Sequence, residues 1–256
     1  MLNRRRWTDL GVEGVVIVAS ILLAFALDAW WDSRGQRQEE TQVLENLRSE
    51  FQAAGSQLDR YLILDQTTLA SIEGILRSAR AAHAAGRAQV EVATVDLART
   101  LIAPTFDPRT GTLDGLLASG RLGILKSENL RQRLAAWPGL LADAAEEEVR
   151  SDALIRDQME PILWKKMDLS RARTLPVAVA EETCSNVFWG RSCDDLDVEV
   201  PLPARWVSNS SLPASLEVLG VFSTRLQILV HGVDQLQTVR EEIDLILDEI
   251  EKSQRR

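Results

Sequence analysis

Two cysteines are the most reactive side chains that the sequence places near each other. Cys184 and Cys193 are the only cysteines in the chain and lie in a stretch without helical periodicity. Closing the loop between them would stabilise the fold by roughly 2 to 3 kcal/mol in the chain-entropy model, and an oxidising compartment permits the bond. No histidine lies between residues 84 and 230 to complete a zinc site. The spacing therefore favours a disulfide over a metal site or free thiols.

The other candidates for catalysis do not form a constellation. The chain has two histidines, His83 and His231, which lie far apart in the sequence. The acidic run 146–148 is expected on a solvated helix face, because adjacent helical residues point about 100° apart and cannot converge on one atom. The glycine-rich segment 110–123 lacks the Gly-Lys-Ser/Thr ending of a phosphate loop. We therefore predict no enzymatic activity, no catalytic residue, no cofactor and no metal site.

Small and polar residues share one stripe of the most apolar segment. Ser20, Ala24 and Asp28 follow Glu13 by 7, 11 and 15 positions, which places all four within about 80° of one another on a helix. Small residues permit close helix approach, and an acidic group at membrane depth seeks a protein partner or the interface. This stripe predicts an interface for homo-oligomerisation or for another membrane subunit. The alternative is that Glu13 and Asp28 only lie at the two headgroup regions.

The segment that carries this stripe has the length and flanks of a transmembrane helix. Residues 10–31 are almost uncharged and span roughly 33 Å at helical rise, enough to cross a bilayer. Trp7 on one side and Trp30 and Trp31 on the other fit the interfacial belts, and the cluster Arg4–Arg6 precedes the span. These features predict a single-pass protein of a bacterial inner membrane with a cytoplasmic N-terminus.

The topology divides the chain into three parts. Residues 1–9 are predicted to be a cytoplasmic tail, 10–31 the transmembrane helix and 32–256 an extracytoplasmic, periplasmic domain. The segment Ala24-Phe25-Ala26 also imitates a signal-peptidase site, so cleavage of the N-terminal segment remains an alternative. Both alternatives export the domain.

Apolar periodicity after the span indicates long helices. Apolar residues recur three and four positions apart from residue 39 to residue 82, and a near-heptad, coiled-coil-like stripe runs from Leu219 to Ile250. Residues 170–213 have no clear period and are predicted to be an irregular insert that contains the cysteines. With 45% hydrophobic and 5% aromatic residues, the composition favours an all-α fold. We predict a transmembrane helix that continues into an antiparallel helical bundle.

The segment between these helices carries turn signals. Gly120 is predicted to end one short helix in the left-handed conformation, and Ser127 to cap the next. Thr94 is predicted to cap a further short helix, and Pro138 and Pro161 to kink or restart the helix that follows Ser127.

Two stretches carry a resemblance to a known family. The first is Glu13, Ile21-Leu22-Leu23-Ala24 and Asp28-Ala29-Trp30, and the second is the Ser119-Gly120-Arg121-Leu122 hairpin with Asn129-Leu130-Arg131. Together they resemble an uncharacterised bacterial family of single-span membrane proteins with a Glu-bearing N-terminal helix. The resemblance implies an uncleaved anchor and a helical extracytoplasmic domain. It implies no reaction, because that family has no established activity.

Charge and composition narrow the possible partners. The net charge is −9 and the only basic cluster is Arg4–Arg6, which argues against nucleic acid. The expected partners are the membrane and either a second copy of the chain or another envelope protein. A scaffold or subunit of an envelope complex fits these features. The alternative is an extracytoplasmic sensor or ligand-binding module that signals through a partner.

Overall fold

A single long helix begins near the N-terminus and runs through the first third of the chain. The computed structural model describes residues 3–169 and 209–255, with side chains from Ser20 onward apart from residues 21, 26 and 29. Helix α1, Asn3–Ala84, has 82 residues and is therefore roughly 120 Å long. The predicted continuity between segment 10–31 and the helix that follows is confirmed, since no break occurs around Gly35.

Nine elements follow α1 in the described residues, two of which, α4 and α6, are long helices. In chain order they are strand β1 Gln89–Ala93, helix α2 Thr94–Thr100, helix α3 Gly111–Ala118, a 3-10 turn Arg121–Ile124, helix α4 Glu128–Leu154, a π-helical turn Ile155–Met159, helix α5 Glu160–Trp164, strand β2 Asn209–Pro213 and helix α6 Leu216–Gln254. Strands β1 and β2 pair antiparallel, with Val90 opposite Leu212.

Helix α6 packs antiparallel to α1, and the contact extends along most of the length of α6. Arg80 of α1 donates to Ser223 near the start of α6, and Arg48 donates to Gln254 at its end. Between these points Gly55 lies against Ile243. Helix α4 packs on α6 in the same antiparallel sense, since Arg133 pairs with Glu242 while Arg225 donates to Ser151.

Two large apolar clusters fill most of the space between the helices. One lies around Phe51, Trp137 and Ile243, where the Phe51 and Trp137 rings meet edge to face at 4.9 Å. The other lies towards the far end of α1, around Ile72 of α1 and Phe222 of α6. The long helices therefore form because each has an apolar stripe that the others cover.

The turn before α4 has the predicted backbone conformation and cap, whereas the start of α2 differs from the prediction. Gly120 has a φ of 67° at the end of the α3 turn, and the Ser127 hydroxyl accepts a hydrogen bond from the Leu130 amide at the start of α4, both as predicted. Thr94 does not cap α2: the N-cap is Ala93, and the buried Thr94 hydroxyl lies 2.9 Å from that of Ser210.

The two prolines differ in their effect on the helices. Helix α4 continues through Pro138, so the helix does not restart there. Pro161 directly follows a π-helical turn, whereas no such turn accompanies Pro138, and the backbone stays helical from α4 through that turn into α5. Of the segment predicted to be irregular, residues 209–213 form β2, which the sequence pattern did not indicate.

The predicted all-α class is confirmed for the described residues, which are helical apart from two short strands and the connecting segments. Within that part of the chain, one helix is long and apolar enough by composition to cross a membrane, and it is α6, Leu216–Gln254. Twelve of its residues are buried, so its apolar stripe already packs within the domain. The side chains of residues 3–19 lie outside that test, and the transmembrane helix at 10–31 stays a prediction.

Candidate functional site

Arg225 is the centre of a buried polar cluster between α1, α4 and α6. The residue is 1% exposed, and apolar residues such as Phe222 and Ile228 flank it on α6. Its Nη2 donates to the carbonyl of Ile102 at 2.8 Å, its Nε donates to the carbonyl of Thr100 at 3.4 Å, and its Nη1 donates to Ser151. Burial lowers the pKa of Arg225 to about 10, so the guanidinium stays charged at neutral pH.

Two carboxyl groups near Arg225 have raised pKa values. Asp65 of α1 is 6% exposed, and its burial raises the pKa to about 6 although the charge of Arg225 opposes the shift. Burial also raises the pKa of Glu148 on α4 to about 7, and the charges of Asp65 and Asp107 add to the shift. The amide of Phe106 donates to Glu148 at 2.9 Å and acts in the opposite direction. Both carboxyl groups therefore titrate nearer to neutral pH than ordinary ones.

A small cavity lies among these side chains. Its volume is about 30 Å³, and its polar lining is Asp65, Glu147, Glu148, Ser151 and Arg225. The Oε1 atom of Glu147 accepts from Arg150 at 2.6 Å, whereas its buried Oε2 has no hydrogen-bond partner in the described part of the chain. A cavity of this size holds about one water molecule.

Other carboxylates hold the segment between α2 and α4 against the long helices. Glu50 of α1 accepts hydrogen bonds from the amides of Thr112 and Leu113, at 2.6 and 3.4 Å. Glu40 accepts from the amide of Lys126 at 2.9 Å and also pairs with its ammonium group. These carboxylates supply partners to backbone amides that have none within a helix.

An open groove lies beside this segment, between residues 37–52 of α1 and the C-terminal end of α6. Its volume is about 870 Å³. Arg37, Thr41 and Arg48 of α1 line one side, and Ser253 and Gln254 of α6 line another. The groove is polar and mixed in charge, so its composition indicates no single ligand class.

The residues predicted for the membrane-helix interface lie on α1. Ser20, Ala24 and Asp28 are exposed, whereas the side chain of Glu13 lies outside the described residues. The rings of Trp30 and Trp31 are also exposed and meet edge to face at 5.3 Å. The guanidinium of Arg34 lies 5.5 Å from the centre of the Trp30 ring.

The predicted disulfide and one of the predicted interfacial tryptophans also fall outside the described residues. Cys184 and Cys193 belong to the segment 170–208, so the disulfide stays a prediction, and the side chain of Trp7 is likewise not described. Among the described residues, no group of three or more His, Cys, Asp or Glu is placed to hold a metal ion.

The prediction of a solvated face for the acidic run 146–148 is wrong for two of its three residues. Glu146 is exposed, but Glu147 is 9% exposed and Glu148 is partly buried. Helix α4 packs along α6, where Glu147 lies against Gly232, and the segment after α2 covers Glu148 through the amide of Phe106.

Asp65 and Arg225 were not among the site residues predicted from the sequence. The signal available was their position: Asp65 follows Leu58 and Tyr61 on the buried stripe of α1, and Arg225 follows Phe222 on that of α6. A charged residue at a core position of an apolar stripe indicates a buried polar cluster, because a buried charge needs compensating partners.

No protein-family model, no curated protein and no solved structure matches this chain. The resemblance to a family of single-span membrane proteins with a Glu-bearing helix therefore stays a prediction.

Proposed function

We propose that this chain is a membrane-anchored scaffold or subunit of an envelope complex, without catalytic activity. Helix α1 is both the anchor, at residues 10–31, and the first helix of a periplasmic antiparallel helical bundle. The observation that carries the proposal is the continuity of α1 from Asn3 to Ala84. Because a continuous helix transmits position and orientation, a partner bound in the membrane fixes the direction in which the domain faces.

The helical phase of α1 supports a partner on its outer side. At about 100° per residue, the mean direction of Ser20, Ala24 and Asp28 lies roughly 170° from that of the core residues Leu44, Leu47 and Phe51. The small and polar stripe of the span therefore lies opposite the face that packs on α6. A second copy of the chain, or another membrane subunit, binds there without displacing the domain's own helices.

Cross-linking in the membrane tests this proposal. Single cysteines at Ser20 and Ala24 are compared with matched cysteines at Leu22 and Leu23 after Cys184 and Cys193 have been replaced by serine. We expect cross-linked product from Ser20 and Ala24, and several-fold less from Leu22 and Leu23. Equal yields from both faces, or none from either, would contradict the proposed interface and leave α1 with the role of a membrane anchor alone.

Reporter fusions check the topology on which this scaffold depends. A fusion at Arg37 is expected to report the periplasmic side. A cytoplasmic signal at this position would contradict the predicted orientation and the periplasmic location of the domain.

A sensor or ligand-binding module is the second candidate, and the open groove between α1 and the end of α6 favours it. A ligand in this groove contacts Arg37, Thr41 and Arg48, which belong to the same helix as the predicted span. Thr41→Trp fills the groove without removing an ion pair. A bound small molecule that is present in native mass spectra of the wild type and absent from this variant would favour the sensor.

A further inference from the structure

The cavity between α1, α4 and α6 has no role in the scaffold proposed above. Asp65, Glu147 and Glu148 contribute three carboxyl groups to its lining, and Arg225 is the one cation among the lining residues in the described part of the chain. Charged groups are costly to bury unless their charge is compensated or neutralised. The cavity therefore has an excess of acidic groups over cations in a place where ionisation is unfavourable.

One buried oxygen of the cavity lacks a donor. Glu147 is 9% exposed, and only its Oε1 is engaged, by Arg150. Its buried Oε2 has no hydrogen-bond partner among the described residues, although buried acceptors are normally satisfied. A volume of about 30 Å³ admits a molecule no larger than water, so a proton on one of the lining carboxyl groups is the other way to reduce their negative charge.

Charged and titratable groups on several elements act on Asp65 and Glu148. Arg225 approaches from α6 and Glu148 from α4, Tyr61 lies one turn before Asp65 on α1, and Asp107 acts on Glu148 from the segment after α2. Burial raises the pKa of Tyr61 to about 12, so its hydroxyl keeps its proton. Glu147 also lines the cavity, and Arg150 partly balances its charge. Asp65 and Glu148 are therefore the two groups that exchange protons near neutral pH.

We propose that this cavity is a proton-binding site, in which the carboxyl groups of Asp65 and Glu148 together hold one proton near neutral pH while Arg225 balances the other charge. The proton comes from solvent, and no other bond forms or breaks. Since the two groups interact, they titrate as a pair rather than independently. Release of the proton places two negative charges against one cation at the contact between α1 and α4.

Folding raises the pKa of both carboxyl groups, and this direction determines how the stability of the protein depends on pH. Asp65 and Glu148 bind protons more tightly in the folded state than in the unfolded state. Their contribution is fully present below about pH 4 and is lost as the pH rises through 6 and 7. Each such proton changes the folding equilibrium constant by about tenfold per pH unit within this window.

Infrared titration of the full-length protein in detergent tests the site directly. We expect a protonated carboxyl signal that persists above pH 5.5 in the wild type and is reduced in Asp65→Asn and Glu148→Gln. Glu146→Gln, at the exposed neighbouring position, is the matched control and should leave that signal unchanged. Complete ionisation of all carboxyl groups below pH 5 in the wild type would overturn the proposal, even if a variant failed to fold.

Unfolding by urea between pH 5 and 7.5 gives a second readout. The folding equilibrium constant of the wild type should fall with rising pH, and the fall should be several-fold smaller in Glu148→Gln. An equally steep fall in this variant would contradict the proposal. So would a stabilisation at pH 7.5 by sodium or ammonium chloride that choline chloride does not produce, since a cation would then occupy the cavity.

Discussion

Arg225 acts as a cap for a helix to which it does not belong. The carbonyls that accept from its guanidinium, those of Thr100 and Ile102, lie at and just beyond the end of α2. Carbonyls at a helix C-terminus have no partner within the helix and carry partial negative charge. The buried Arg225 supplies these carbonyls with hydrogen-bond donors and with a positive charge. The nearby Asp65 offsets part of that charge.

Replacement of Arg225 by methionine tests this role. The variant leaves two carbonyls and the Ser151 hydroxyl without their donor and leaves Asp65 without its nearby cation. A buried acceptor left without its donor typically costs about 1 to 3 kcal/mol, and we expect a loss of unfolding free energy of at least this order. Urea unfolding followed by tryptophan fluorescence, to which the buried Trp137 contributes, measures it.

Arg240→Met is the matched control for that variant. Arg240 lies on the same helix and pairs with Asp59 at 2.6 Å, but that carboxylate is 54% exposed. Such surface pairs contribute about 0 to 1 kcal/mol. The double variant Asp65→Leu/Arg225→Met should regain part of the lost stability, because it removes the isolated carboxylate. A single Arg225→Met variant as stable as the wild type would contradict the capping role.

At the level of elements, the segment 101–127 depends on side chains of the long helices for its position. Its short helix α3 has only eight residues, too few to be stable alone. Glu50 supplies the acceptor for the first amides of α3, while Tyr61 donates to the carbonyl of Thr105. The helix therefore forms where α1 presents these groups.

Glu50→Ala should loosen α3 more than it affects the rest of the domain. Loss of an N-cap acceptor costs about 0.5 to 2 kcal/mol, and the carboxylate also interacts favourably with the N-terminal end of the helix dipole. We expect faster hydrogen exchange at the amides of residues 112–118. Glu45→Ala, at an exposed position one and a half turns earlier on α1, should leave these amides unchanged; equal effects of both variants would contradict the prediction.

The elements that the sequence predicted are those with local signals. Gly120 and Ser127 fix their turns through backbone conformation and capping, which depend on neighbouring residues alone. Strand β1 was missed because its partner β2 lies more than 100 positions away and each strand has only five residues. Asp65 and Arg225 were missed for a related reason: only the packing of α1 against α6 shows that two polar residues in separate apolar stripes are neighbours.

At the scale of the whole molecule, the stripe on the predicted span continues along the exposed side of α1. Gly35, Gln42, Ser49 and Ser56 follow Asp28 at intervals of seven residues, and all are exposed. A spacing of seven drifts by only about 20° per step on an α-helix. A second copy bound at Ser20 and Ala24 is therefore expected to approach the domain along this same side, so that a cysteine at Ser49 also cross-links.

Insertions between Gly35 and Gln36 test whether α1 transmits this orientation. Two inserted alanines turn the domain by about 200° relative to the span, whereas a seven-residue insertion turns it by only about 20° in the opposite sense. Cross-linking from Ala24 should survive both insertions, because the contact in the membrane is unchanged. Cross-linking from Ser49 should be lost with two residues and retained with seven. Retention at Ser49 in both variants would show that α1 bends freely between membrane and domain and does not fix the direction in which the domain faces.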